Sequence, residues 1–139
     1  MSITERRDTW TNWAGNQTAR PVSIECPTTE EDVAALVARA VHHGHTVKAV
    51  GAGHSFTGAA CTDGHLVRLD ALSGLLDVDR IEGTVTVQGG MRLSDLNAVL
   101  HGLGLALPNL GDIAYQSISG AISTATHGTG RHLTGLAGQ

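Results

Sequence analysis

Glycine sets the terms for this chain. Eighteen of its 139 residues are glycine, close to twice the average usage of about 7%, and most gather at 51–58, 83–90, 102–111 and 120–138. A residue without a Cβ reaches positive φ at little cost and lets backbone approach a ligand, but it weakens helix and strand interiors. A chain divided in this way is not a bundle of long helices or an uninterrupted sheet. It must alternate short elements with tight loops, and such loops can grip a ligand through main-chain atoms.

The intervals between the clusters carry regular patterns. Residues 22–26 alternate apolar and polar and stop at Pro27, as a short strand does. Thr28, followed three residues later by Glu31, forms a capping box. Val33, Leu36, Val37, Ala40 and Val41 fall on one face of the helix it opens, and Gly44 stands where a C-terminal cap glycine belongs. Residues 46–50 form a second strand, so strand, helix and strand make a βαβ unit that runs directly into the loop AVGAGHSFTG at 49–58. Three short strand candidates follow at 66–70, 75–78 and 84–88. A second helix begins near Ser94 or Asp95, is striped by Leu96, Val99 and Leu100, and ends at Gly102 and Gly104. Residues 105–139 show only weak periodicity. No repeat or linker-like stretch divides the chain. Its last residues, RHLTGLAGQ, offer no closing helix or strand, so a longer parent protein is expected.

Composition narrows the function classes. The length corresponds to about one domain, and 41% hydrophobic with 16% charged residues supports a packed core. A net charge of −4 with nine basic residues leaves no footprint for nucleic acid, and 3% aromatics give no base-stacking platform. There is no clear membrane segment, which needs about 18 consecutive apolar residues. The opening MSITERRDTW lacks the apolar centre of a secretory signal. Cys26 and Cys61 read as unpaired core thiols of a reducing compartment, with one disulfide between them as the alternative. A cytoplasmic location is therefore expected, with peripheral membrane association left open. His42, His43 and His45 read as a solvated helix end, because no cysteine or carboxylate joins them as a metal site would require. Asp63, Asp70, Asp77 and Asp79 miss the spacing of a calcium loop, and no metal is expected.

The loop at 49–58 matches neither common phosphate loop. Phe56 stands in place of the third glycine of the dinucleotide fingerprint, and Ala59 in place of the P-loop lysine. A second stretch, QSISGAISTATHGTG at 116–130, surrounds His127 with small and hydroxyl side chains. It suits a backbone nest that aims N–H groups at an anion, with hydroxyls adding donors. Two such loops, each with a histidine and no lysine, suggest a pyrophosphate held by neutral donors.

GAGHSFTG followed by SISGAISTATHGTG, with WTNWAGNQTARP near the start, resembles the flavin-binding domain of the vanillyl-alcohol-oxidase superfamily, above all its aldonolactone oxidoreductases and alditol oxidases. The likeness runs over essentially the whole chain. It implies an α+β fold, a PCMH-type FAD-binding domain of two small α+β subdomains, covering residues 1–139 and incomplete at its C-terminus. It implies FAD as cofactor, bonded covalently through His54 to the 8α-methyl carbon of the flavin. A neutral imidazole is a competent nucleophile near pH 7. By the same likeness Val50, Gly51, Ala52, Gly53, His54 and Ser55 wrap the pyrophosphate and flavin edge, and Asp112, Ser117, Gly120, Thr124, Ala125, Thr126 and His127 line the other side. Gly111 resembles a position near the reactive face where a small residue admits oxygen.

The implied activity is oxidation at a CH–OH carbon of a sugar-1,4-lactone such as L-gulono-1,4-lactone or D-arabinono-1,4-lactone, with oxygen or another acceptor taking the electrons. An alditol substrate, or flavin binding without catalysis, is the alternative. Catalytic acids and bases are expected beyond residue 139, so none is named. From the residues alone, His54 also reads as a loop-capping side chain and His127 as a turn histidine, while Trp10 and Trp13 read as packing anchors.

Overall fold

The computed structural model describes residues 8–139. These divide into two compact units, one ending at Ala71 and one running Leu72–Gln139. Both units mix helix and strand, in agreement with the α+β expectation, and the border between them lies in an ordinary Ala-Leu-Ser stretch without linker character.

The first unit opens with β1 (Trp10–Thr11) paired antiparallel to β2 (Thr18–Ala19). Then come β3 (Ser23–Glu25), α1 (Glu30–His42), β4 (Val47–Val50) and β5 (His65–Arg68). β3 and β4 both run parallel to β5, giving the order β3-β5-β4. The βαβ connection is thus parallel, but the strands it joins are not neighbours. Burial goes with that order: Leu66 and Val67 are 0% and 3% exposed, and the most deeply buried strand takes the position flanked on both sides.

The cap of α1 sits one residue later than the sequence reading placed it. The N-cap is Thr29, whose Oγ1 accepts from the Asp32 N–H at 3.1 Å, while the Asp32 carboxylate accepts from the Thr29 N–H at 3.1 Å. Thr28 adds its own N–H and hydroxyl to that carboxylate, at 3.0 and 2.9 Å. These donors, led by the Thr28 N–H, hold the Asp32 carboxyl below its usual value. On the expected apolar face, Leu36 and Ala40 are buried and Val33 half-buried, whereas Val37 and Val41 face solvent. Gly44, with φ +66°, ends the helix as anticipated. The cysteines depart from expectation. Cys26 is exposed, since it follows β3 beside Pro27, and Cys61 is half-buried; both are free thiols.

In the second unit, β6 (Leu75–Asp79) and β7 (Thr84–Val87) form an antiparallel hairpin with an irregularity between Leu75 and Asp77. α2 spans Leu93–Leu103 and closes on Gly104 at φ +74°. Its Leu93, Leu96 and Leu100 join Met91, Ala121 and Leu136 in one core, with Val85 and Val87 packed against it. Burying each leucine contributes about 1.5–3 kcal/mol before entropy is counted. Two core members come from the tail that shows little periodicity. Ala121 belongs to α3 (Ile118–Ser123), and Leu136 to a 3-10 turn at Leu136–Gly138 whose first N–H donates to the Thr126 carbonyl at 2.9 Å. The expectation that the final residues hold no closing element is corrected by that turn. Among the described residues, no helix is long and apolar enough to cross a membrane.

Candidate functional site

Val50, 4% exposed, ends β4, and the chain turns directly into the first glycine loop. Gly51, Ala52, Gly53, His54 and Ser55 are half-buried there. Gly53 has φ +69°, and a Cβ at this position would lie 3.3 Å from Trp10 Cζ2. Glycine is therefore demanded here by conformation first and by space second.

The loop is held from one side by the turn between β1 and β2. The Trp13 N–H donates to the Gly53 carbonyl at 2.9 Å. Asn12 Nδ2 donates to the Ser55 carbonyl at 2.9 Å, and the Phe56 carbonyl accepts from Asn16 Nδ2 at 3.1 Å and Gln17 Nε2 at 3.3 Å. The clamp is itself braced. Asn12 is 5% exposed, donates to Asn16 Oδ1 at 2.7 Å, and accepts from the Gln17 N–H at 3.0 Å. Peptide units among the described residues are trans, so each carbonyl points opposite to the N–H that follows it. With the carbonyls of Gly53, Ser55 and Phe56 turned to the clamp, the N–H groups of His54, Phe56 and Thr57 turn away from it. Thr57 closes locally on Ser55 Oγ at 3.4 Å. The loop thus presents donors outward and keeps these acceptors behind, a donor set that fits an anionic group such as a pyrophosphate.

The His54 ring stacks on Trp13, with centroids 5.2 Å apart and planes at 26°, and Phe56 meets Trp13 edge-on at 6.4 Å. Trp10 is half-buried and packs towards Gly53 as an anchor would. Trp13 is 68% exposed. Its expected role as a packing anchor is therefore corrected.

The second stretch is not one continuous nest, because residues 118–123 are helical. Ser117, 1% exposed, caps α3 by accepting from the Gly120 N–H at 3.3 Å. Thr124 ends the helix by donating its hydroxyl to the Gly120 carbonyl at 2.9 Å. Ala125 follows at φ +53°, the only non-glycine residue in the left-handed region among those described. Thr126 ties the segment together: its N–H donates to Ala121 O at 3.1 Å, and its hydroxyl accepts from Gln116 Nε2 at 3.0 Å. Gln116 Oε1 is buried and has no hydrogen-bond partner among the described residues. His127 is exposed and donates Nδ1–H to the Gly128 carbonyl at 2.8 Å, which leaves Nε2 as the acceptor of the neutral ring. Asp112 is exposed. A Cβ on Gly111 would stand 2.9 Å from Thr126 Cγ2, and one on Gly128 would overlap Asn109 Oδ1 and Leu110 O.

The structure thus gathers the first set of expected site residues in one loop of the first unit. The second set lies along one segment of the second unit. Sequence reasoning missed the amides Asn12, Asn16 and Gln17 and the half-buried Gln116. The only signal for the clamp is the density of amides in NWAGNQ, which carries no indication of its target. His65 also escaped notice. It is 6% exposed, with Nδ1 at 2.7 Å from Ser23 Oγ and Nε2 at 3.1 Å from His45 Nδ1. Burial pushes the neighbouring Glu25 carboxyl upward, but the Ser23 hydroxyl, Arg39 and His65 together outweigh it and leave it lowered. His42, His43 and His45 are exposed, and no group of three or more metal-ligating side chains occurs among the described residues.

A glycine loop at the carboxyl end of a small parallel sheet, with backbone N–H groups turned away from its clamp, suits a nucleotide cofactor. The chain belongs to the FAD binding domain family, whose model matches residues 21–139, so the cofactor class is FAD. The chain is similar to the L-gulono-1,4-lactone dehydrogenase of Mycobacterium tuberculosis, 49% identical over 121 residues, covering 87% of this chain and 28% of that protein. It is similar also to the alditol oxidase of a Streptomyces species, 44% identical over 122 residues, covering 86% of this chain and 29% of that protein. The chain therefore spans less than a third of the length of these relatives. Among solved structures, cholesterol oxidase from B. sterolicum superposes with a TM-score of 0.80 at 23% identity, over 88% of this chain and 24% of the other. That likeness speaks for the fold, and the resemblance to the vanillyl-alcohol-oxidase superfamily holds.

Proposed function

We propose that this chain is the flavin-holding part of an oxidoreductase that takes a hydride from a CH–OH carbon of a sugar-1,4-lactone, with L-gulono-1,4-lactone or D-arabinono-1,4-lactone as substrate, and that FAD is tethered covalently at His54. The observation that carries this reading is the orientation of the first loop, with its carbonyls taken by the amide clamp and the N–H groups that follow them turned away from it. Bound FAD supplies the two-electron redox chemistry. The chain binds and orients it. Val50, Gly51, Ala52, Gly53 and Ser55 offer backbone close to the pyrophosphate and flavin edge, and His54 supplies the tethering nitrogen. Asp112, Ser117, Gly120, Thr124, Ala125, Thr126 and His127 are assigned to the same cofactor. Oxygen or another acceptor removes the electrons, and the location is cytoplasmic.

The similarity to a lactone dehydrogenase supports the lactone, and the similarity to an alditol oxidase favours a polyol as the second reading. The test uses the full reading frame that contains this chain, purified with flavin and mixed anaerobically with each lactone and with xylitol. Loss of the oxidised flavin absorbance with a lactone is the expected result. Loss with xylitol alone selects the polyol, and loss with neither overturns the reading.

A further inference from the structure

Tryptophan carries a large apolar ring that proteins bury in good part. Trp13 instead leaves 68% of its surface in solvent, and its ring contacts are the stack on His54 and the edge of Phe56. Its own N–H is bonded to the Gly53 carbonyl, one residue before the histidine. The preceding residue, Asn12, is buried and bonded to the Ser55 carbonyl, one residue after it. The main chain at Asn12 and Trp13 is therefore tied to the loop on both sides of His54, and from that backbone the indole lies against the imidazole. An indole lying near-parallel to an imidazole covers the face of that ring and not its edge. The lone pair of a neutral imidazole nitrogen lies in the ring plane and leaves through the edge. A stack of this kind fixes the plane of the nucleophile without obstructing it.

We propose that Trp13 is a positioning residue for His54, setting the direction of the imidazole so that it can be joined to the flavin, and that it governs the rate of covalent attachment rather than the affinity for FAD. The inference rests on the covalent reading given above. In the joining step, the lone-pair nitrogen of the imidazole bonds to the 8α carbon, the other ring nitrogen gives up its N–H hydrogen, and the 8α carbon gives up one hydrogen. Both hydrogens, with their electrons, stay in the reduced ring system until dioxygen removes them as hydrogen peroxide.

The test uses the full reading frame prepared as apoprotein and incubated with FAD in air. Samples are quenched in acid at intervals, and acid-stable flavin is measured by fluorescence after denaturing electrophoresis. Trp13→Phe keeps a ring that can stack, and Trp13→Leu keeps apolar bulk without one. Wild type and Trp13→Phe are expected to gain acid-stable flavin at similar rates. Trp13→Leu is expected to be slower by about tenfold or more, the scale of effect for a misdirected nucleophile. The affinity for FAD before attachment, read from quenching of its fluorescence, should be the same in all three. Trp13→Met repeats the ring-free comparison if the leucine variant does not fold. The proposal is overturned if the ring-free variant keeps pace with wild type, if both substitutions slow attachment equally, or if FAD affinity falls with the rate. A wild-type protein that binds FAD yet never forms acid-stable flavin overturns the covalent reading itself, a result read before any Trp13 variant is made.

Discussion

The two glycine-rich stretches look alike on paper and are built on different principles. The first, at 49–58, is shaped from outside: side chains about forty residues away in the sequence take its carbonyls, and Gly53 is required because its φ is +69°. The second, at 116–130, is shaped from within by α3 and by Thr126, and its glycines are required for room. Gly128 and Gly130 sit where a Cβ would meet Asn109 and Leu110 in the one case and the Leu133 side chain in the other, and neither has positive φ. The same residue type thus answers a conformational demand in one loop and a spatial one in the other, and sequence composition does not separate the two.

Substitutions can break or sharpen this contrast. The largest loss of stability is expected for Gly128→Ala, about 3 kcal/mol, because its Cβ would overlap a backbone carbonyl that cannot move aside; thermal unfolding would register it. Asn12→Ala should follow at about 2 kcal/mol, since a buried amide and its partners in the clamp are left unpaired. Gly53→Ala should cost about 1–2 kcal/mol, the penalty of a left-handed L-residue. Asparagine sharpens the comparison, because it tolerates that region. Gly53→Asn should be milder than Gly53→Ala, whereas Gly128→Asn should be no better than Gly128→Ala. Equal behaviour at the two positions would erase the distinction. The smallest change is expected at Ala125, where glycine relieves the strained φ of +53° but adds unfolded-state freedom. Those effects offset to within about 1 kcal/mol, again measurable by thermal unfolding.

Local patterns were legible in the sequence, and distant partners were not. The alternation at 84–88 and the leucine stripe of α2 report directly on burial, and both elements are present. The central place of β5 depends on pairing with two strands far from it in sequence, and no local signal records that. Thr28 with Glu31 and Thr29 with Asp32 both satisfy the capping pattern. The choice between them falls to the Asp32 carboxylate, which gathers the donors of both threonines. α3 was hidden because six residues containing Gly120 have little helical signature, and burial of Ala121 in the core supports it. Residues 50–55 were singled out through the resemblance that GAGHSFTG carries. The clamp that orients them could not be, since Asn12 and Asn16 meet that loop only through the fold.

The central claim is that the loop at 49–58 is a flavin cradle whose histidine serves as a tether. The most direct measurement is the intact mass of the full-length protein purified with FAD, beside its His54→Ala variant. The account predicts a wild-type mass increased by one FAD less two hydrogens. It also predicts an unmodified mass for the variant, which should still bind FAD reversibly. A flavin-loaded wild type of unmodified mass, or a modification that persists without His54, would contradict it.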